Sequence, residues 1–249
     1  MKRLIWALLL GFTTLTFAKT EVLTLKTPDG FTLKGWLELP DKAKKPVPLA
    51  LLVHEYASDH RMWDKTTAKL HTLGYATFAV DLRAHGASTE KKGKRVLITR
   101  KDFGHPKPEA SLEKIPDDLN RWMELLQKRK DLTLESPLFF GSSLGGGALI
   151  PLMLDYEPRA VVTLSPAAAR KTYAEDTADA VENSDVPWLI VSSQRDFAKK
   201  TALAYESKAM RPTLLILPGN GHGSQLLPAA TPYIDLFLER ILKKTKEKN

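Results

Sequence analysis

Short apolar runs alternate along the chain with segments in which apolar residues recur every three or four positions. The apolar runs lie at 48–55, 76–83, 136–142, 160–166, 187–193 and 212–219. Each run is too continuously apolar for polar residues to alternate within it, which is typical of strands that helices cover on both faces. The pattern therefore predicts an α/β fold with a mostly parallel central sheet and helices on both sides.

The start of the pattern differs, because two segments there mix apolar and polar residues. EVLTLKT and FTLKGWLEL flank Pro28, Asp29 and Gly30, three residue types that favour a tight turn. This arrangement predicts an antiparallel N-terminal hairpin. After a linker rich in proline and lysine at 41–48, no internal repeat or domain boundary is visible, and we expect one domain over 19–249.

Three segments have helical periodicity with recognisable ends. Pro116 fits the first position of a helix whose apolar face holds Leu119, Trp122, Met123 and Leu126. Residues 144–155 form a second helical run. In the third segment, near the C-terminus, Thr231 is suited to cap a helix that starts at Pro232.

Residues 1–18 have the composition of a signal peptide. Lys2 and Arg3 precede an apolar run over 4–12, and residues 16–18 resemble a small-residue cleavage site. The alternative is a retained membrane anchor, but the apolar run is shorter than the ~20 residues that a spanning helix needs. We expect a secreted or periplasmic protein without stable membrane insertion after cleavage.

The amino-acid composition excludes several kinds of site. The chain of 249 residues contains no cysteine, which excludes disulfides, thiolate metal sites and a cysteine nucleophile. Its formal net charge of +8 is concentrated partly at 91–101 and partly at 243–249. Aromatic residues are not interleaved with these charges in the manner of nucleic-acid-binding surfaces, so no nucleic-acid partner is expected.

The segment Gly141-Ser142-Ser143-Leu144-Gly145 matches the pattern G-x-S-x-G after a predicted strand and before a predicted helix. In that context the serine lies on a sharp turn, and flanking glycines are needed because a β-carbon there would collide with neighbouring backbone. Ser143, the third residue, is the predicted nucleophile. Ser142 is interpreted as a tolerated neighbour.

A serine nucleophile needs a base and a group that orients the base. Asp196 follows the strand at 187–193, and His222 lies in a glycine-rich loop after the last strand. Acyl transfer also needs two N–H donors for the oxyanion, and these are predicted at Tyr56 and Leu144. This chemistry requires no cofactor.

A metal site is not expected from the remaining histidines. They show no metal-ligand spacing, and His54-Glu55 lacks the second histidine of an H-E-x-x-H motif. We interpret His85 as bracing the turn after its strand.

The segments VHEYASDHRMW, DLRAHGAS, GSSLGG, SSQRD and GNGHG resemble, in this order, the motifs of the α/β-hydrolase superfamily. The resemblance spans nearly the whole mature chain and looks closest to small dienelactone-hydrolase-like proteins and serine esterases. It implies an α/β-hydrolase fold, and the short 167–187 connection leaves no room for a large cap domain. Glu55 stands where many members have glycine; it is similar to the glutamate that contacts the nucleophile in dienelactone hydrolases, or it braces the oxyanion loop. Both roles stay open.

The expected function is hydrolysis of carboxylic esters of small substrates through a Ser143 acyl-enzyme. A serine peptidase or amidase is the alternative within enzymes, and a non-catalytic binding protein on the same scaffold is the alternative outside them. The basic insertion at 89–110 leaves a strand end and is expected near the mouth of the pocket. Acyl and alcohol specificity and oligomeric state are not determined by the sequence.

Overall fold

The structure is a computed structural model that describes residues 19–41, 43–105 and 107–246. The predicted signal peptide at 1–18 lies outside the described residues. The strands are β1 (Lys19–Lys26), β2 (Phe31–Leu39), β3 (Val47–Val53), β4 (Ala76–Asp81), β5 (Glu90–Lys91), β6 (Lys94–Arg95), β7 (Leu132–Ser142), β8 (Ala160–Leu164), β9 (Trp188–Ser193) and β10 (Pro212–Leu217). The α-helices are α1 (Asp64–Thr72), α2 (Ile115–Gln127), α3 (Ser143–Ala148), α4 (Leu152–Tyr156), α5 (Ala174–Asn183), α6 (Lys199–Glu206) and α7 (Leu227–Lys246).

The strands form one ten-stranded sheet in the order β10-β9-β8-β7-β3-β4-β2-β5-β6, with β1 paired to β2. Six adjacent strands run parallel to one another, namely β10, β9, β8, β7, β3 and β4. β2 pairs antiparallel with β1, β4 and β5. The predicted parallel sheet and the N-terminal hairpin are both confirmed. No large cap is present in the described residues, because the connection from β8 to β9 holds only a short 3-10 turn and α5.

Two apolar layers cover the sheet, one on each face. Within β3, Leu49, Leu51 and Val53 belong to the layer beneath α2, whereas Ala50 and Leu52 belong to the layer beneath α1 and α7. Successive side chains of a strand point to opposite faces, so a strand covered on both sides must be apolar at every position. This explains why the β3 sequence does not alternate.

A buried ion-pair network holds the turn of the first hairpin against α2. The Arg83 guanidinium, 1% exposed, donates to both carboxylate oxygens of Asp118 at 2.6 and 2.7 Å and to Asp29 at 2.9 Å. Burial raises the pKa of Asp118, while its hydrogen bond and charge pairing with Arg83 oppose that rise. The carboxyl group at the start of α2 therefore contacts a specific cation as well as the positive end of the helix dipole.

Two predicted helices have different limits in the structure. The C-terminal helix begins at Leu227, one turn before the predicted start, and Pro232 lies inside it. Pro232 is on the exposed face, where water can solvate the carbonyl that its missing N–H leaves free. The run at 144–155 is divided into α3 and α4, because Pro151 cannot supply the N–H that would continue the first helix.

The first half of the basic insertion forms the small β5–β6 hairpin at the edge of the sheet. Its second half, from Ile98 to Pro108, reaches a cavity at the carboxyl ends of the strands. Among the described residues, no helix is long and apolar enough to cross a membrane.

Candidate active site

The candidate site lies where the order of the sheet reverses. The chain passes from β3 through α1 to β4 on one side, and then returns through α2 to β7 on the other side of β3. The connections that leave the carboxyl ends of β3 and β7 therefore run in opposite directions and leave a crevice, which is where open α/β sheets bind their ligands. Tyr56 follows β3 and Ser143 follows β7, so both predicted site residues lie at this crevice.

Ser143 occupies a strained turn between β7 and α3. Its φ angle is 45°, in the left-handed region that a side-chain-bearing residue rarely adopts. A β-carbon at Gly141 would lie 2.6 Å from the Cα of Gly146, and one at Gly145 would collide with the carbonyl oxygen of His54. Glycine is required at both positions, because the serine turn brings α3 directly against the ends of β7 and β3.

The three predicted triad residues form one hydrogen-bonded chain. Ser143 Oγ is 2.8 Å from His222 Nε2, and His222 Nδ1 is 2.8 Å from Asp196 Oδ1. The Asp196 side chain is fully buried, whereas that of His222 is 23% exposed. The arrangement can move a proton from the hydroxyl to the imidazole while the carboxylate fixes the ring and its tautomer.

Asp196 has further donors that the sequence analysis did not identify. Its Oδ2 accepts from Ser165 Oγ at 2.5 Å and from Ser192 Oγ at 3.1 Å, and its Oδ1 accepts from the Ala198 amide at 2.9 Å. Burial by itself would raise the pKa of Asp196, but the hydrogen bonds from Ser165, Ala198 and His222 lower it below its usual range. The acid is therefore held ionised and in a fixed orientation.

Ser165 also connects the acid to the histidine loop. Its hydroxyl accepts a hydrogen bond from the Gly223 amide at 2.8 Å while it donates to Asp196. The sequence offers one signal for this role, since Ser165 lies at the carboxyl end of the apolar run 160–166, directly after β8 in the structure.

Glu55 joins the turn that holds Ser143 to the loop that holds His222. Its Oε2 accepts from Ser142 Oγ at 2.8 Å and from the Ser224 amide at 2.7 Å, and its Oε1 accepts from Ser224 Oγ at 2.8 Å. Among the described residues no hydrogen bond joins Glu55 to Ser143. The interpretation of Ser142 as a tolerated neighbour was incomplete, because this fully buried hydroxyl donates to Glu55.

The two residues predicted to supply the oxyanion N–H groups line one cavity together with Ser143. Leu144 is in the first turn of α3, where amides have no partner within the helix. The peptide between Glu55 and Tyr56 is oriented by His54, because His54 Nδ1 lies 2.6 Å from the Glu55 carbonyl and its Nε2 accepts from the Leu82 amide at 3.0 Å. Burial, with a smaller contribution from His85, lowers the pKa of His54 to about 3, so the ring is neutral.

Ser143 lies between two cavities. The first, of about 420 Å³, we call the apolar pocket; it is lined by Tyr56, Ile98, Asp102, Phe103, Gly104, His105, Lys107, Pro108, Leu112, Glu113, Ser143, Leu144, Ala167, Arg170 and Phe197. The second, of about 370 Å³, we call the polar pocket; it is lined by Glu55, Tyr56, Arg100, Phe103, Ser143, Phe197, His222, Ser224 and Gln225. His222 contributes to the polar pocket alone.

Two exposed aromatic side chains stand between these cavities. Phe103 is 64% exposed and Phe197 is 68% exposed, with 6.2 Å between their ring centroids. Phe197 stacks on the His222 imidazole at 4.2 Å, and Phe103 meets Tyr56 edge to face at 5.7 Å. Large apolar side chains exposed together at a cavity mouth are typical of a ligand-binding surface.

The structure brings other predicted residues to different places. His85 is buried and its Nδ1 lies 2.8 Å from the Arg83 carbonyl, in agreement with a bracing role. Lys91, with Lys92, Lys94 and Arg95, belongs to the edge hairpin and lines neither pocket, so only the second half of the insertion lies at the mouth. Within the described ranges, no group of three or more histidine, aspartate or glutamate side chains could hold a metal ion.

A scan against family models matches residues 44–215 to a model described as serine aminopeptidase, S33, which is more than half of the chain. Among curated proteins, an uncharacterized protein of Mycobacterium tuberculosis is 25% identical over 142 residues. That alignment covers 57% of this chain and 44% of the relative, so the chain spans less than half the length of the curated relatives it matches.

Solved structures share the fold at low identity. Est1E from Butyrivibrio proteoclasticus with bound ferulic acid has a TM-score of 0.67 at 19% identity, and covers 89% of this chain and 99% of its own. A dienelactone hydrolase from Anabaena variabilis has a TM-score of 0.64 at 17% identity, with 91% and 98% covered. The esterase Pf2001 from Pyrococcus furiosus has a TM-score of 0.65 at 15% identity, with 91% and 90% covered.

Proposed function

The chain belongs to the serine aminopeptidase S33 family, within the α/β-hydrolase superfamily, and we propose that it is a serine hydrolase that cleaves carboxylic esters of small substrates. The observation that carries the proposal is the hydrogen-bonded chain from Ser143 through His222 to Asp196, with 2.8 Å at each step. The strained serine turn and the adjoining cavities support it.

The proposed reaction uses only groups of the chain and water. His222 Nε2 takes the proton of Ser143 Oγ as the oxygen attacks the ester carbonyl carbon, and the N–H groups of Tyr56 and Leu144 stabilise the resulting oxyanion. His222 then gives the proton to the alcohol oxygen, the carbon–oxygen bond to the alcohol breaks, and an acyl-serine remains. Water then attacks the acyl carbonyl carbon while His222 takes its proton. His222 returns that proton to Ser143 Oγ as the bond to the acyl group breaks, which releases the acid and restores the serine. The mechanism involves no cofactor.

The test is covalent labelling of the mature protein with a fluorophosphonate probe, followed by kinetics on chromogenic esters. Ser143→Ala should abolish labelling and lower kcat by several orders of magnitude, because loss of a triad nucleophile costs ~10⁶. Ser142→Ala is the matched control and should still be labelled, and the loss of its hydrogen bond to Glu55 should appear as a lower free energy of unfolding. Labelling of the Ser143 variant, but not of the Ser142 variant, would contradict the assignment.

A second candidate is an aminopeptidase or other amidase, favoured by the description of the matching family. The same triad can attack an amide, but an aminopeptidase also needs an acidic group to bind the free α-amine of its substrate. That amine belongs to the acyl part of the substrate. The carboxylates that line the two cavities are Glu55, which already accepts three hydrogen bonds from Ser142 and Ser224, Asp102, which pairs with Lys107 at 2.9 Å, and Glu113. Aminoacyl anilides and matched esters, assayed with the same protein, separate the two: faster turnover of the anilides would favour the peptidase.

We propose that residues 1–18 direct export and that the domain of 19–249 is the mature protein, secreted or periplasmic. The support is the basic and apolar pattern of that segment. N-terminal sequencing of the protein recovered from the compartment outside the inner membrane tests this. Recovery of an uncleaved chain in the membrane fraction would contradict it.

A further inference from the structure

The two cavities beside Ser143 differ in chemistry, and this difference identifies which part of a substrate each one holds. We infer that the apolar pocket takes an aryl-sized apolar acyl group and that the polar pocket takes a neutral, hydroxylated alcohol. The inference rests on the proposed ester hydrolysis at Ser143. It adds the substrate class, namely esters of apolar acids with polyol-like alcohols.

The position of His222 assigns the two sides. In acyl transfer the leaving oxygen must receive the proton that the imidazole holds, so the alcohol lies on the side of His222 Nε2. His222 lines the polar pocket and is absent from the lining of the apolar pocket. Leu144, which follows the nucleophile, lines only the apolar pocket. The acyl chain must therefore extend into the apolar pocket once the alcohol occupies the polar one.

The walls of the apolar pocket fit a flat, apolar group. Of the two cavities, Ile98, Leu112 and Leu144 line this one alone. Tyr56, Phe103 and Phe197 line both cavities and add aromatic side chains, with centroid separations of 5.7 and 6.2 Å between successive rings. Ring pairs at these distances are typical of favourable aromatic contacts, and a substrate ring can add to them. Five ionisable side chains also line this cavity, namely Asp102, His105, Lys107, Glu113 and Arg170. Asp102 and Lys107 pair with each other at 2.9 Å, and the charges of Glu113 and Arg170 are opposite in sign.

The polar pocket contains groups of both signs and both hydrogen-bonding kinds. Arg100 and the side-chain amide of Gln225 can donate, and the Gln225 oxygen already accepts from the His222 amide at 3.1 Å. Glu55 Oε1 accepts one hydrogen bond, from Ser224, and a carboxylate oxygen has room for a second. A neutral alcohol with several hydroxyl groups can accept from the first two and donate to Glu55. Because Arg100 and Glu55 have opposite charges, the pocket has no net charge that would favour an anionic or a cationic alcohol over a neutral one.

The test of the acyl side uses two isomeric esters, ethyl phenylpropanoate and phenylpropyl acetate. They contain the same atoms, but the phenyl ring is on the acyl side in the first and on the alcohol side in the second. After division by the alkaline hydrolysis rates, kcat/KM should favour ethyl phenylpropanoate by at least about 10-fold, the effect of burying one aromatic ring. Equal rates, or a preference for phenylpropyl acetate, would overturn the assignment.

Two variants locate the preference. Ala167→Leu narrows the apolar pocket alone, beside the nucleophile. Phe103→Ala removes an exposed side chain that lines both pockets, with little risk for folding. Each should reduce the preference for ethyl phenylpropanoate several-fold. Tyr233→Ala is the matched control, since that aromatic side chain is 51% exposed and lines neither pocket. A preference that persists in both pocket variants would contradict the location.

The alcohol side is tested with glyceryl, propyl and phosphoglyceryl esters of phenylpropanoic acid. The glyceryl ester should be hydrolysed several-fold faster than the propyl ester, and Gln225→Ala should lower the glyceryl rate more than the propyl rate. Faster turnover of the phosphoglyceryl ester would overturn the neutral-alcohol part. If the fluorophosphonate labels Ser143 while these preferences are absent, the substrate class fails and the proposed function stands; without labelling, the proposed function itself fails.

Discussion

Ser165 offers a quantitative test of how the acid of the site is held. Its hydroxyl is fully buried, donates to Asp196 Oδ2 at 2.5 Å and accepts from the Gly223 amide at 2.8 Å. Ser165→Ala removes both hydrogen bonds and only one heavy atom. The backbone at this position has φ 49°, which alanine tolerates no worse than serine, so the hydroxyl is the main change.

The magnitude follows from the kinds of hydrogen bond lost. A bond to a charged group contributes about 1.5–3 kcal/mol, and a buried amide left without a partner costs about 1–3 kcal/mol. If the first contribution is felt in the transition state, where His222 is protonated beside Asp196, kcat should fall by about 10- to 100-fold. KM should change little, because Ser165 lines neither pocket.

Ser192→Ala is the matched control for this prediction. Ser192 is also fully buried and donates to the same carboxylate oxygen, but at 3.1 Å, and Ser165 alone of the two bridges to the histidine loop through Gly223. Its effect on kcat should therefore be the smaller one. Equal losses in the two variants, or an unchanged kcat in the Ser165 variant, would refute the reasoning.

The pH dependence of stability gives a second readout. The hydrogen bonds of Asp196 lower its pKa in the folded protein, so its contribution to stability is present above the unfolded value of about 3.9 and is lost as the pH falls through the folded pKa. Ser165→Ala should raise that pKa and remove part of the contribution. In urea unfolding, the difference between wild type and variant should be largest near neutral pH and should narrow below about pH 4.

Two further predictions concern the acid and the buried ion pair. Asp196→Asn should fold normally and lose ~10⁴ in kcat, because the amide stabilises the wrong tautomer of His222; near-wild-type turnover would assign the role to another acid. Asp118→Ala should lower the free energy of unfolding by about 3–5 kcal/mol, since it removes the carboxylate that accepts two hydrogen bonds from the buried Arg83 and leaves Asp29 as the remaining carboxylate partner. The exposed Asp117→Ala, in the same turn of α2, should change it by less than about 0.5 kcal/mol.

Much of the fold was predictable because the burial of apolar side chains determines the sequence pattern of its strands. All six predicted parallel strands are present, since a strand covered on both faces must be apolar throughout. The limits of the helices were less predictable. Pro232 favoured a helix start, but the structure places it inside α7. That face of the helix is exposed, so water can replace the missing hydrogen bond at little cost in free energy.

The position of the serine turn was predictable for a different reason. Gly141 and Gly145 are required by close contacts within a few residues of Ser143 or with the adjacent strand, and such contacts leave a local motif in the sequence. The hydroxyls of Ser165 and Ser142 leave no such motif. Their partners, Asp196 and Glu55, are 31 and 87 residues away in the chain, and serine is common in any loop.

Basic residues in and near the insertion also have structural contacts. Lys91 lies 3.7 Å from Asp29 and donates to the Glu109 carbonyl at 2.7 Å, so it joins the first hairpin to the end of the insertion. Arg83 contacts Asp29 as well and donates to the Ser111 carbonyl at 3.3 Å. These cations therefore fix both ends of the segment that carries Phe103 to the pocket mouth. The charge of the hairpin thus contributes to the shape of the site.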